Sequence, residues 1–144
     1  DSGRSYMYCT CDEMEVLRVY ASGTNTIWFK STTPVTMPCG KDYVIMQVMH
    51  VETADLQKYH VGTRCTRGQA LFPEGKDGAD GYHFHIAMAT GTALTNNNTG
   101  WIVNSNGSWV LQTNGRNLKP EEAFYVDSSF TNVVNSGGIS FLYK

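Results

Sequence analysis

His83 and His85, one residue apart in the run Gly81-Tyr82-His83-Phe84-His85-Ile86, are the side chains best suited to chemistry. In an extended segment, side chains at i and i+2 leave the same face, which sets two imidazoles side by side and turns Phe84 and Ile86 toward a core. Imidazoles spaced by roughly 6 to 7 Å along a strand can hold a metal ion with one ring while the other moves a proton or stabilises a developing anion. The chain has 4 histidines, so half of them sit in this pair. A His-x-His string is short, and satisfied surface or core imidazoles produce it equally well. What separates the two readings is the order of elements around it.

Those elements are short β-rich runs separated by turn chemistry, with little 3.6-residue periodicity. Residues 15–22 (EVLRVYAS) and 25–31 (NTIWFKS) flank Gly23-Thr24 and predict a hairpin. Residues 43–51 (YVIMQVMHV) predict a third strand whose alternation puts Val44, Met46, Val48 and His50 on one face, with His50 ending the strand. Residues 52–59 are the best helical or turn candidate. A run over 61–71 with Gly62 and Gly68, a Gly-rich loop over 73–81 and the His-x-His strand follow. Beyond it, residues 90–99 are polar and Asn-rich, residues 101–103 and 108–112 predict a hairpin around Asn106-Gly107, and Pro120-Glu121-Glu122 predicts a short turn or helix start. No internal repeat stands out.

Composition narrows the class. At 144 residues, 41% hydrophobic and a net charge of −2, the chain fits one domain with one core. Lys and Arg are scattered without a basic run, which argues against a nucleic-acid partner. No apolar stretch approaches a membrane span, and no signal-type segment opens the chain, so the expectation is a soluble domain, leaderless or already processed. Cys9, Cys11, Cys39 and Cys65 include no Cys-x-x-Cys pair, so buried free thiols, with at most one bridge, are expected over a four-thiolate zinc site.

Taken in order, the strand ending in His50, the polar turn, the run Val61-Gly62-Thr63-Arg64-Cys65-Thr66-Arg67-Gly68-Gln69-Ala70-Leu71, the Gly-rich loop and Gly81-Tyr82-His83-Phe84-His85 form a recognisable series. It resembles the lysostaphin-like, or LytM-type, zinc peptidoglycan endopeptidases. In that family a Tyr-Ala-His segment precedes a Val-Gly, spacer, Gly-Gln turn, and a Gly-rich loop leads into His-x-His. The resemblance covers about residues 3–127, with residues 3–16 similar to the strand after the family's first metal motif and Lys119-Pro120-Glu121-Glu122 similar to its closing turn. It implies that His85 binds Zn2+, that His83 is a catalytic histidine and that His50 is the second. Zinc bound by imidazole and carboxylate acidifies a water and polarises a peptide carbonyl, while nearby imidazoles take a proton or stabilise the oxyanion.

One departure matters. The family's other two ligands come from a His-x-x-x-Asp motif near the domain start, and here no histidine precedes His50. Asp1 stands near the place of that carboxylate but sits too close to Gly3 for a comfortable match. A stable zinc site needs three protein ligands and a water. The expectation is therefore a domain truncated or processed downstream of its own ligands, or one that receives them from an upstream segment or a second polypeptide.

The resemblance implies a zinc metalloendopeptidase that cleaves peptide bonds in bacterial cell-wall peptidoglycan. Such an enzyme is secreted or delivered to the wall, or is a phage endolysin made in the cytosol before release. Two readings compete with it: an inactive relative serving as a wall-binding or regulatory module, and a phage structural domain using residues 128–144 for contacts. The expected architecture is mainly β, an antiparallel curved sheet of the lysostaphin type with few or short helices. Residues 35–40 and 73–80 are expected to wall a groove above the three histidines. The peptidase domain would span 1–127 with an inserted hairpin at about 96–114, and 128–144 would be a β extension. His60 reads as an exposed turn residue, Tyr82 as lining the cleft or packing, and Trp28, Trp101 and Trp109 as core or partly buried.

Overall fold

The computed structural model describes residues 4–21, 24–95, 101–103, 109–124 and 138–139. Its centre is a five-stranded antiparallel sheet in the order β7-β2-β3-β6-β9, built from β2 (Glu13–Tyr20), β3 (Thr26–Ser31), β6 (Val44–Met49), β7 (Arg64–Thr66) and β9 (His85–Thr90). Three two-stranded antiparallel sheets accompany it: β1 (Tyr6–Tyr8) with β8 (Ala70–Pro73), β4 (Val35–Met37) with β5 (Gly40–Asp42), and β10 (Trp101–Val103) with β11 (Trp109–Leu111). The helices are single turns, α1 (Thr53–Leu56) and α2 (Pro120–Ala123). The mainly antiparallel β architecture is the one the alternating runs predict.

The β2–β3 hairpin and the strand β6 follow from sequence alternation. Every residue of β6 is buried, because both faces of the sheet are covered. Val44, Met46 and Val48 join Ile27, Phe29, Val16 and Met14 in the larger core on one face, while Ile45 meets Trp28, Ala89 and Leu111 on the other. In β2 the pairing with β3 shifts between Val16 and Arg18. A bulge of this kind reverses the parity of the strand. Accordingly Val16 and then Val19 face the larger core, and Leu17 and Tyr20 face the smaller one.

Trp28 is fully buried, as a tryptophan in a central strand should be, and its indole Nε1–H donates to Gln47 Oε1 at 2.8 Å. Gln47 is itself fully buried, and its Nε2 has no hydrogen-bond partner among the described residues. The side chains of Trp101 and Trp109 lie outside the described residues, as do Asp1, the hairpin turn at 104–108 and most of the 128–144 extension.

Three of the cysteines, Cys9, Cys11 and Cys65, are buried, Cys39 is exposed, and all four are free thiols. Burial pushes the Cys11 thiol up to about 11, and contact with Cys9 together with burial raises Cys65. Protonated thiols of this kind act as small core hydrophobes.

Tyr59 anchors the turn after α1 by packing edge-on against Phe29 and Phe72 and donating its hydroxyl to Leu71 O at 2.7 Å. Burial pushes its phenol up to about 12. The folded state thus favours the protonated ring. This contribution to stability is whole below the ordinary value of 10.0 and is lost as pH rises toward 12. A tyrosinate absorbance titration is expected to show one ring ionising near pH 12 that Tyr59→Phe removes. Denaturant midpoints should fall more steeply for the native chain than for the variant across that window.

The outer edge of β9 is not left open. Thr90 N–H donates to Arg116 O at 2.8 Å and Leu118 N–H to Met88 O at 2.9 Å, and Ala89 bridges antiparallel to Asn117.

Candidate functional site

Antiparallel pairing of β6 with β9 brings the histidines together. Met49 lies opposite His85 in that ladder, so His50, the next residue along the chain, arrives beside the His-x-His segment. The ring centroids of His50 and His83 are 4.5 Å apart, and those of His50 and His85 are 6.0 Å apart. Residues more than thirty positions apart in the chain therefore present three imidazoles as one cluster. Phe84 and Ile86 pack against the larger core, which leaves His83 and His85 on the opposite side of the segment.

Two local details differ from the expected strands. His50 does not end β6 but lies just past it, in a left-handed conformation with φ of 70°. A β-strand cannot continue through that geometry. His83 is not in β9 either, which begins at His85; it forms an isolated antiparallel bridge with Gly75 and donates its N–H to Gly75 O at 3.1 Å.

The ring bonds fix the proton positions. His50, 8% exposed, has its Nδ1 at 2.8 Å from Asp77 O, and His83, which is exposed, has its Nδ1 at 3.0 Å from Gly81 O. A carbonyl oxygen only accepts, so in both rings Nδ1 carries the proton and donates it. In the neutral rings each Nε2 then keeps its lone pair, ready to accept a proton or to bind a ligand. Burial, followed by the charges of His50 and His83, holds His85 below the usual imidazole range, which favours the neutral ring that a metal ligand or base must be.

Sequence reasoning did not reach Asp77, Gly75 or Asn25. Asp77 Oδ2 accepts the Asn25 N–H at 2.8 Å, while its carbonyl holds His50. Asn25 Nδ2 donates to Val51 O at 2.9 Å and to Thr53 Oγ1 at 3.0 Å. No pattern in the sequence marks a backbone carbonyl as a ring acceptor, and only the density of glycine over residues 73–81 hints at close backbone packing there.

Tyr82 is 44% exposed, with the Arg4 guanidinium 4.4 Å and the Lys76 ammonium 5.0 Å from its ring centroid. It is held by cations at the surface and is not packed into a core. His60 is exposed, with its N–H on Thr63 Oγ1 at 3.2 Å, as a turn residue should be. A cavity of about 410 Å3 lies beside β9, lined by Ile86, Met88, Leu118, Pro120, Ala123 and Phe124 among others. None of the histidines, and none of residues 35–40 or 73–80 expected to wall a groove, contributes to it.

The described residues do not fit a complete zinc site. Among them, no set of three or more His, Cys, Asp or Glu side chains is arranged to hold a metal ion, and the cluster around His85 contains imidazoles but no carboxylate ligand. Among the described residues, no helix is long and apolar enough to cross a membrane. No protein-family model matches the chain, and no curated protein is found similar to it.

Proposed function

We propose that this chain is an endopeptidase acting on the peptide portion of bacterial cell-wall peptidoglycan, as an endolysin or secreted wall hydrolase. The convergence of His50, His83 and His85 carries the reading: centroids at 4.5 and 6.0 Å, with Nδ1 of His50 and His83 engaged by carbonyls. Zinc dependence, which the family resemblance implies, requires two donors in addition to His85. These would come from outside the described residues, from another part of the polypeptide or from a second chain.

The imidazoles supply proton chemistry. A neutral ring takes a proton at Nε2 from the water that attacks a peptide carbonyl. A neighbouring ring, once protonated, donates from the same atom to the oxyanion or to the departing amine. His50 is nearly buried and its orientation is fixed, whereas His83 is exposed and close enough to meet a polymer. This division suits His83 for contact with the scissile bond and His50 for support of charge as it develops.

Incubation of the chain, together with the polypeptide segment or second chain that supplies the two further zinc donors, with purified bacterial walls, with amino groups counted as they are freed, tests the reading. New amino groups are expected to appear, and a zinc chelator is expected to suppress them. Binding to walls with no release of amino groups, with or without added zinc, would overturn the peptidase reading in favour of a wall-binding module.

A further inference from the structure

We infer that Gly75 and Asp77 are positioning residues for His50, and that the turn they form fixes both the tautomer of that imidazole and its separation from His83. The inference rests on the reading of His50 and His83 as the proton-transferring pair.

His50 is the sole non-glycine among the described residues with positive φ, at 70°. A side chain in that conformation is strained, and such strain persists only where the surroundings hold it in place. Gly75 supplies one restraint. A Cβ on Gly75 would overlap the His50 carbonyl oxygen and crowd the Glu52 nitrogen, so the two backbones touch with no room for any side chain. The same Gly75 accepts the His83 N–H through its carbonyl at 3.1 Å. One residue thus bears on the backbone of both histidines.

Asp77 supplies the second restraint. Its carbonyl holds the His50 ring at Nδ1, 2.8 Å away, and its carboxylate accepts the Asn25 N–H at 2.8 Å. Asn25 closes the circuit by donating to Val51 O, at 2.9 Å, and by accepting the Val51 N–H, at 3.3 Å. The Asp77 carbonyl also satisfies a ring nitrogen of a nearly buried imidazole, and with the proton on Nδ1 the lone pair of the neutral ring is left on Nε2.

The test compares Asp77→Ala, which removes the carboxylate that ties the turn to Asn25, with Asp77→Asn, which keeps an oxygen acceptor at that position. Proton–nitrogen NMR of the histidine rings in the full chain reports the His50 tautomer whether or not the chain hydrolyses anything. Asp77→Ala is expected to convert His50 from a single Nδ1–H tautomer to a mixture. It should also lower kcat on wall peptides by about tenfold or more while leaving KM unchanged. Asp77→Asn should restore both readouts. Gly75→Ala is expected to move the same signals further where it still folds.

Unchanged His50 ring signals in Asp77→Ala would overturn the inference. So would a changed tautomer with native kcat in an enzyme that His83→Ala silences. Failure of the native chain to cleave walls would remove the peptidase reading alone, and the ring signals would still decide whether Asp77 and Gly75 set the imidazole.

Discussion

His83→Ala is expected to lower the rate of wall-peptide cleavage by about two to four orders of magnitude, the range that a positioned general acid or base contributes. The fold should be retained. His83 is exposed, its bridge to Gly75 runs through backbone atoms, and among the described residues its ring bonds the carbonyl of Gly81. A surface change of that kind moves stability by no more than about 0.5 kcal/mol. His60→Ala is the matched control, because His60 is also exposed and lies outside the cluster. Turnover measured for both variants at equal fold content checks the expectation, and cleavage by His83→Ala at the native rate would remove His83 from the chemistry.

The largest effect on stability is expected at Trp28. Trp28→Ala should cost about 3–5 kcal/mol, the usual cost of removing a buried aromatic side chain. Trp28 has no exposed surface and lies in the smaller core with Ile45, Ala89 and Leu111. A second penalty adds to the cavity. The indole N–H is the partner of Gln47 Oε1, and Gln47 Nε2 already has no partner among the described residues, so the variant strips the other end of a buried amide. Trp28→Phe separates the two contributions, since it keeps most of the volume and removes the donor; it should cost about 1–3 kcal/mol. Against a total stability of about 5–15 kcal/mol for a domain of this size, Trp28→Ala consumes a large share. Urea unfolding of the two variants measures both costs, and a loss below that of Trp28→Phe would contradict the packing described.

What was legible in the sequence depended on side chains that repeat. Residues 15–31 and 43–51 read as strands and fold as β2, β3 and β6, with Val44, Met46 and Val48 on one face as expected. Residues 101–103 and 109–111 pair antiparallel, as the flanks of Asn106-Gly107 suggest. Short strands without alternation were not legible. Residues 35–40, read from the sequence only as a groove wall, form most of a small hairpin in which Val35 pairs with Asp42.

The site was legible by residue type and not by geometry. His-x-His alternation correctly turned Phe84 and Ile86 toward the core, but nothing in the sequence pairs β6 with β9 across the intervening β7 and β8. That neighbourhood came from the order of motifs. The left-handed turn at His50 and the carbonyl of Asp77 escaped notice because any residue type carries the backbone groups involved.

The pairing of residues 116–118 along β9 reaches beyond the site. An outermost strand with unused amide and carbonyl groups is a template for lengthening the sheet with another molecule, the route to strand exchange and fibrous aggregates. Here Thr90 and Met88 already spend those groups on Arg116 and Leu118 of the same chain. Another molecule can extend the sheet along Met88–Thr90 only by first peeling that segment away, so this stretch of the edge is shielded from self-association.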